Sequence, residues 1–438
     1  MRYRHRLPIL LLSALVAGCL PSPTPGSTIP PSAPPGTFPE LATPPTPSAS
    51  PTPQAVAVPE LTSCPIPLGM PAPPDLADPA LTVRAVLEYL NAGGSADALP
   101  GLLKAAGRAP NAGPPVLPLD INGDNWLDLA VAYVDPHAPQ ASAHSQLLPR
   151  LQPPARGSIV IYLCQGTRYV PGDPVLEAPD ATPLLHLAAE LNRDGVTDLV
   201  VGWETCGAHT CYQQLDVVMA AGTFLVRARL DPTLDLPYPE VQLLSDGRLA
   251  VTGTGIASAG AGPFRQVTRT WAWDAARQGF AVVSETLEAP RYRIHALLDA
   301  QAAARRGDGE AALDLYHRVI LDESLLDWAD PETERANLRA FGMYRVVVTY
   351  ASQRDLGDAR VAYGILQNEF VDGSTGPIYA RLAKAFWDVF EQAADLRQSC
   401  LAARAFAEAN RAKVLDPLSF GYANPTFMPE DVCPEGGA

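Results

Sequence analysis

The chain of 438 residues carries none of the local signatures that announce a reaction. There is no G-x-S-x-G elbow, no H-E-x-x-H helix, no phosphate-binding P-loop and no dinucleotide glycine fingerprint behind a strand. Positive charge is short: 32 Lys and Arg stand against 47 Asp and Glu, a net charge of −15. That balance argues against nucleic acid or an anionic membrane surface as a partner held by charge. Histidine is sparse and scattered. His137 and His144 fall in a polar loop, while His186 sits in an apolar strand and reads as a satisfied core residue. Beyond the first twenty residues no apolar run approaches the length of a membrane span.

Proline, by contrast, is abundant and concentrated near the start. A basic Met1–Arg6 is followed by the apolar run from Leu7 and by Val16-Ala-Gly-Cys19, the pattern of a secretory signal ending in a lipobox. This predicts a bacterial lipoprotein signal at 1–18, cleaved before Cys19. Acylation of Cys19 would then anchor the protein to the membrane of the cell envelope on its extracytoplasmic side. Residues 19–63, rich in Pro, Ser and Thr, cannot bury a core and read as a semi-stiff tether.

Six further cysteines remain: Cys64, Cys164, Cys206, Cys211, Cys400 and Cys433. An even number in an exported chain reads as disulfides, and six cysteines allow fifteen connectivities. Local spacing favours Cys206–Cys211 and Cys400–Cys433, which leaves Cys64–Cys164. A metal reading of Cys206-Gly-Ala-His-Thr-Cys211 lacks a second ligand pair of suitable spacing.

Along the chain, residues 64–110 read as a short helical lead-in, with apolar spacing over 79–107 broken at Gly93-Gly94. Strand-like runs fill 111–288, including Leu127–Val134, Thr197–Trp203, Gln213–Met219 and a hairpin from Val267 to Val283. From 289 to 418 the pattern is helical, and 419–438 reads as an irregular tail pinned by Cys433.

Two acidic stretches organise the β region: Asp120-Ile-Asn122-Gly-Asp124-Asn-Trp126-Leu-Asp128 and Glu190-Leu-Asn192-Arg-Asp194-Gly-Val196-Thr-Asp198. Each sets oxygen-bearing side chains at positions 1, 3, 5 and 9 and runs into an apolar strand. Converging carboxylates repel one another unless a hard cation takes their oxygens, and Ca²⁺ is the usual choice. The carbonyl of Trp126 or Val196, at position 7, supplies a further oxygen. An EF-hand is excluded because position 12 is Val131 or Val201 rather than Glu. The stretches resemble the FG-GAP/VCBS-type repeat of integrin-like β-propellers, whose D-x-[DN]-x-D-G-x-x-D-L turn holds calcium between strands. The second stretch keeps the turn glycine, Gly195, but opens with Glu190. The first has Asn125, the best substitute for glycine at positive φ. The resemblance implies two calcium sites and, with too few units for closure, a partial propeller-like β domain.

The segment Gly307–Asp322 resembles the second helix of a tetratricopeptide repeat, with Ala312, Leu315, Tyr316, Val319 and Ile320 as its apolar stripe; Tyr350–Tyr363 repeats it less cleanly. The expected fold class is therefore α+β and multidomain, an antiparallel β-rich domain followed by a helical-repeat domain. Lipobox, tether, metal turns and helical hairpins are parts used in presentation and recognition. Together they suggest a calcium-stabilised binding or scaffold module for a protein or glycan. The alternative is an extracytoplasmic hydrolase of glycan or peptide, with Glu204 or Asp246 lining a cleft and Trp271, Trp273 and Phe280 stacking a sugar.

Overall fold

The apolar runs Leu129–Tyr133 and Leu199–Trp203 lack the alternation of a half-solvated strand because both faces of each are covered. The computed structural model describes residues 62–66, 69–135, 157–177, 181–221, 224–371 and 376–433. The signal sequence, Cys19, nearly all of the tether, and His137 and His144 lie outside the described residues. The remainder falls within one compact unit.

Helices α1 (Thr82–Asn91) and α2 (Leu99–Ala105) precede a sheet of β1 (Val116–Leu119), β2 (Asp128–Val134), β3 (Gly157–Gln165), β4 (Arg168–Pro171) and β5 (Leu176–Glu177). Its order is β1-β2-β3-β4, with β5 also paired to β3. The second sheet is the meander β6 (Thr182–Ala189), β7 (Asp198–Cys206), β8 (Cys211–Ala221), β9 (Phe224–Leu230). The third is β10 (Pro239–Leu243), β11 (Leu249–Gly253), β12 (Val267–Asp274), β13 (Gly279–Leu287). Among the described residues all pairs of named strands are antiparallel and no sheet closes on itself.

Successive side chains of a strand point to opposite faces, which builds a stack of layers. Leu129, Val131 and Tyr133 share a core with Val86, Leu90, Leu99 and Leu103 of the two helices. Ala130 and Ala132, on the other face, pack against Leu199, Val201 and Trp203 of the second sheet. Val200, Leu215 and Val217 turn away from that layer toward Leu249, Val251 and Trp271 of the third sheet.

The remaining helices are α3 (Arg293–Arg305), α4 (Gly309–Leu321), α5 (Pro331–Ser352), α6 (Leu356–Glu369), α7 (Pro377–Ala393), α8 (Leu396–Ala409), α9 (Arg411–Val414) and α10 (Pro429–Val432). They enclose one large core that includes Tyr316, Phe341, Tyr379 and Phe386. Asp308, Asp355 and Asp395 cap α4, α6 and α8 at the start, each accepting a hydrogen bond from the backbone N–H three residues on. Helix α5 falls in the stretch that reads as helical, although its Val346-Val-Val-Thr349 is a β-branched run with strand propensity. Burial on nearly all sides overrides it, and Gly342 lets the helix approach Val319 and Ile320 closely.

The sheets meet the helices through the segment before β12. Arg265 forms a two-pronged bond to Asp299 on α3 at 2.6 and 2.9 Å, and His295 Nε2 lies 3.0 Å from the Pro263 carbonyl. A Cβ on Gly262, whose φ is +78°, would lie 1.4 Å from the Phe420 carbonyl oxygen. The tail is therefore pressed backbone to backbone against this junction. Of the fifteen possible connectivities the molecule has Cys64–Cys164, Cys206–Cys211 and Cys400–Cys433. No helix of the described residues is long and apolar enough to cross a membrane, and disulfides are compatible with an extracytoplasmic location.

Candidate metal centre: two acidic turns on neighbouring sheets

Both acidic stretches occupy the same place in the architecture, the turn joining the first strand of a sheet to its second. The first turn links β1 to β2 and the second links β6 to β7. Their backbones share left-handed residues at the same two positions. Left-handed φ occurs at Gly123 (76°) and Asn125 (65°), and at Arg193 (67°) and Gly195 (87°), positions 4 and 6 of each turn. The position 6 residues are the pair singled out for positive φ. Position 4 is the surprise, because Arg193 occupies it without the steric licence of glycine.

The opening carboxylate folds each turn around itself. Asp120 accepts from the backbone N–H groups of Gly123 (2.8 Å), Asp124 (3.1 Å) and Asn125 (2.8 Å). Glu190, one methylene longer, reaches the N–H groups of Arg193 (2.6 Å) and Gly195. At positions 3 and 5, the Asn122 amide donates to Asp124 Oδ2 at 2.9 Å, and Asn192 does the same to Asp194 Oδ2 at 2.9 Å. Asp124 and Asp194 each accept from the backbone N–H of position 7, Trp126 or Val196, at 2.8 Å.

The ninth residue separates the two turns. Asp128 and Asp198 are both fully buried. Burial, reinforced by the neighbouring carboxylates, pushes each up to about 7. Neither forms an ion pair with a Lys or Arg among the described residues. Asp128 is nonetheless saturated: Oδ2 accepts from Ile121 N–H at 3.2 Å and Oδ1 from Cys164 N–H at 2.7 Å. Asp198 Oδ2 accepts from Leu191 (2.9 Å) and Asn192 (3.2 Å), but its Oδ1 is buried with no hydrogen-bond partner. A buried carboxylate oxygen left without a donor is costly, and a cation would satisfy it.

The first turn is also braced from outside. Thr62 pairs with Trp126, donating to the Asn125 carbonyl (3.2 Å) and accepting from Leu127 N–H (2.8 Å). Two residues further on, Cys64 is bonded to Cys164, the residue whose N–H seals Asp128. The second turn has no such brace among the described residues. The two turns touch: a Cβ on Gly123 would lie 3.2 Å from a methyl of Val196. Neither this adjacency nor the donation from Cys164 leaves a local mark in the sequence, since both depend on how sheets stack.

The donor set, carboxylates with an amide and no sulfur or imidazole, suits a hard cation of the calcium type. Asp120, Asn122, Asp124 and Asp128 would hold it in one turn, and Glu190, Asn192, Asp194 and Asp198 in the other, with the carbonyls of Trp126 and Val196. The fit is better in the second turn, where an oxygen stands free. Among the described residues one group of three His, Cys, Asp or Glu ligand atoms lies within 4.8 Å of one another: Glu204, Cys206 and Cys211. The loop carboxylates are more widely set.

The other residues singled out in the sequence lie elsewhere. Asp246 is exposed in the turn before β11 and paired with Arg248 at 2.6 Å. Trp271 is fully buried, its Nε1 donating to the Asp231 carbonyl at 3.2 Å, so it presents no face to a sugar. Trp273 and Phe280 are a cross-strand edge-to-face pair at 5.2 Å packed against the same core. His186 Nε2 lies 2.8 Å from Gln213 Oε1, and burial lowers its pKa.

Fold and site together define an α+β chain with paired acidic turns on stacked antiparallel sheets. No family model matches the chain, and no curated protein matches it.

Proposed function

We propose that this chain is an envelope lipoprotein, anchored through Cys19, whose β region is braced by calcium in its two acidic turns and serves as a binding or scaffold module. In this reading the stacked sheets are an open, propeller-like arc of the FG-GAP/VCBS kind. The three helical hairpins are tetratricopeptide-like and offer a surface to a protein or glycan. The observation that carries the proposal is the unpartnered, buried Asp198 Oδ1 at the ninth position of a turn that shares its left-handed positions with 120–128. Calcium at these turns supplies a positive centre; the chain's own residues fix the turn and present the oxygens.

The two turns are not equivalent in this reading. Asp128 already has both oxygens engaged, and its turn is held by the Cys64–Cys164 bridge. The turn at 190–198 is the one that depends on the cation. Calorimetric titration of residues 60–438 with calcium tests this. Asp198→Asn should remove the tighter binding event and leave the weaker one, while Asp128→Asn should do the reverse. Identical isotherms for both variants and the parent chain would overturn the assignment. A partner carried by the helices should be lost when residues 290–438 are deleted and retained when Asp198 alone is changed.

A further inference from the structure

We infer that the tip of the β7–β8 hairpin is a redox-gated site for a thiophilic divalent cation such as zinc, with Glu204, Cys206 and Cys211 as its protein ligands. It is separate from the acidic turns and does not rest on the calcium reading. Glu204 and Cys206 are two apart on β7 and therefore share a face. Cys211 is the direct cross-strand partner of Cys206, and Gln213 that of Glu204. One oxygen and two sulfurs consequently lie within 4.8 Å of one another. Two thiolates on one zinc stand at most about 4.6 Å apart, twice the ~2.3 Å Zn–S distance. In the bridge the sulfurs are bonded to each other on Cα atoms 4.0 Å apart, so once reduced they must swing apart to the zinc-bound separation while staying beside the carboxylate.

The carboxylate is positioned by a supporting set of groups. Gln213, almost fully buried, donates through Nε2 to Glu204 Oε2 at 3.3 Å and is itself held by His186 at 2.8 Å. Gly202 leaves the space for this pair: a Cβ there would meet His186 Nε2 at 2.6 Å and Gln213 Oε1 at 2.7 Å. Ligands whose orientation is fixed by such outer hydrogen bonds bind cations more tightly. The hairpin tip is also held without its disulfide. Gly207 N–H donates to the Thr210 carbonyl (2.8 Å), Tyr238 N–H to Cys211 (2.8 Å) and Ala257 N–H to His209 (3.1 Å).

In the oxidised chain the two sulfurs are bonded to each other and unavailable as thiolates. Reduction by a dithiol opens the site. The dithiol gives up two electrons and two protons and leaves as its own disulfide; the Cys206–Cys211 bond breaks and each sulfur becomes a thiol. Coordination then releases those two protons to solvent. Selectivity follows from exposure, since Cys206 is exposed while Cys164, Cys400 and Cys433 are buried.

The test is titration of the mature chain with Cd²⁺ before and after mild dithiol treatment, following the ultraviolet thiolate-to-cadmium charge-transfer band. Oxygen ligands in the acidic turns give no such band. The expected result is one equivalent of band after reduction, none before, and none in Cys206→Ser/Cys211→Ser. Glu204→Gln should weaken binding by roughly ten-fold or more. Cys206→His offers an imidazole in place of the thiolate and cannot form the bridge, so it should bind one Cd²⁺ without reductant, with the two buried disulfides intact. Absence of the band in the reduced parent chain together with no binding by Cys206→His would overturn the proposal. Unchanged affinity in Glu204→Gln would overturn the carboxylate's place in it.

Discussion

Asp198 concentrates the physical conflict in this molecule. Its carboxyl is buried, carries no ion pair among the described residues, and leaves Oδ1 without a donor. Its counterpart Asp128 resolves the same position with a backbone N–H from Cys164 on the adjacent strand. Replacing a buried, unpartnered acceptor removes a desolvation cost. Asp198→Asn should therefore leave the calcium-free protein as stable as its parent or more so, while abolishing the turn's response to calcium. Urea unfolding in chelator and in calcium would show this as two curves that coincide for the variant. A variant markedly less stable in chelator would mean that the carboxylate is satisfied by something other than a cation. The matching positive φ at positions 4 and 6 was half visible beforehand: Gly195 and Asn125 are residues that signal such geometry, whereas Arg193 gives no hint.

At the scale of elements, the helical region is tied together by charges taken out of water. Arg293 and Asp327 have no exposed side-chain surface. Arg293 Nε reaches Asp327 Oδ1 at 3.1 Å and Nη1 donates to the Val319 carbonyl at 2.6 Å, while Arg335 Nε takes Asp327 Oδ2 at 3.0 Å. Removing one partner of a buried pair strands the other, so Asp327→Ala should cost about 3–5 kcal/mol in denaturant unfolding. A loss well under 1 kcal/mol would show that Arg293 finds other acceptors. Where α3 meets the β12 segment, burial lowers the pKa of His295, with Arg265 adding to the effect; the Pro263 carbonyl, Asp299 and Glu288 oppose it. A histidine whose folded pKa lies below its unfolded value near 6.5 contributes stability that is complete above that value. It loses that contribution as pH falls toward the folded pKa. Asp128 and Asp198, pushed up to about 7, titrate with the opposite sign and gain stability as pH falls. Between about pH 7 and pH 5 the melting temperature should therefore drop more, or rise less, in the parent than in His295→Gln. Equal slopes for the two proteins would place the pH dependence elsewhere, with His186 titrating in the same direction.

Across the whole molecule, what the sequence made legible was what neighbouring residues decide. Apolar runs located β2 and β7, acidic spacing located both turns, and the stripe of Ala312, Tyr316, Val319 and Ile320 located α4. What it hid was decided by distant packing. The β-branched run Val346–Thr349 is kept helical by burial among its neighbours, and the order of layers emerges only from which strand faces share a core. The same holds for the site: the ligand types were plain, but the seal on Asp128, the contact of Gly123 with Val196 and the proximity of Glu204 to the Cys206–Cys211 bridge all arise from pairing between strands.

The most direct test of a calcium-braced β region is thermal melting of residues 60–438 in chelator and in about 1 mM calcium. With an affinity of ~10⁻⁴ M, each occupied turn adds roughly 1.4 kcal/mol. Calcium should raise the melting temperature by several degrees, a shift that shrinks in Asp198→Asn and disappears in Asp124→Ala/Asp194→Ala. Superimposable melting curves in chelator and calcium would contradict it, leaving both turns as hydrogen-bonded loops without a cation.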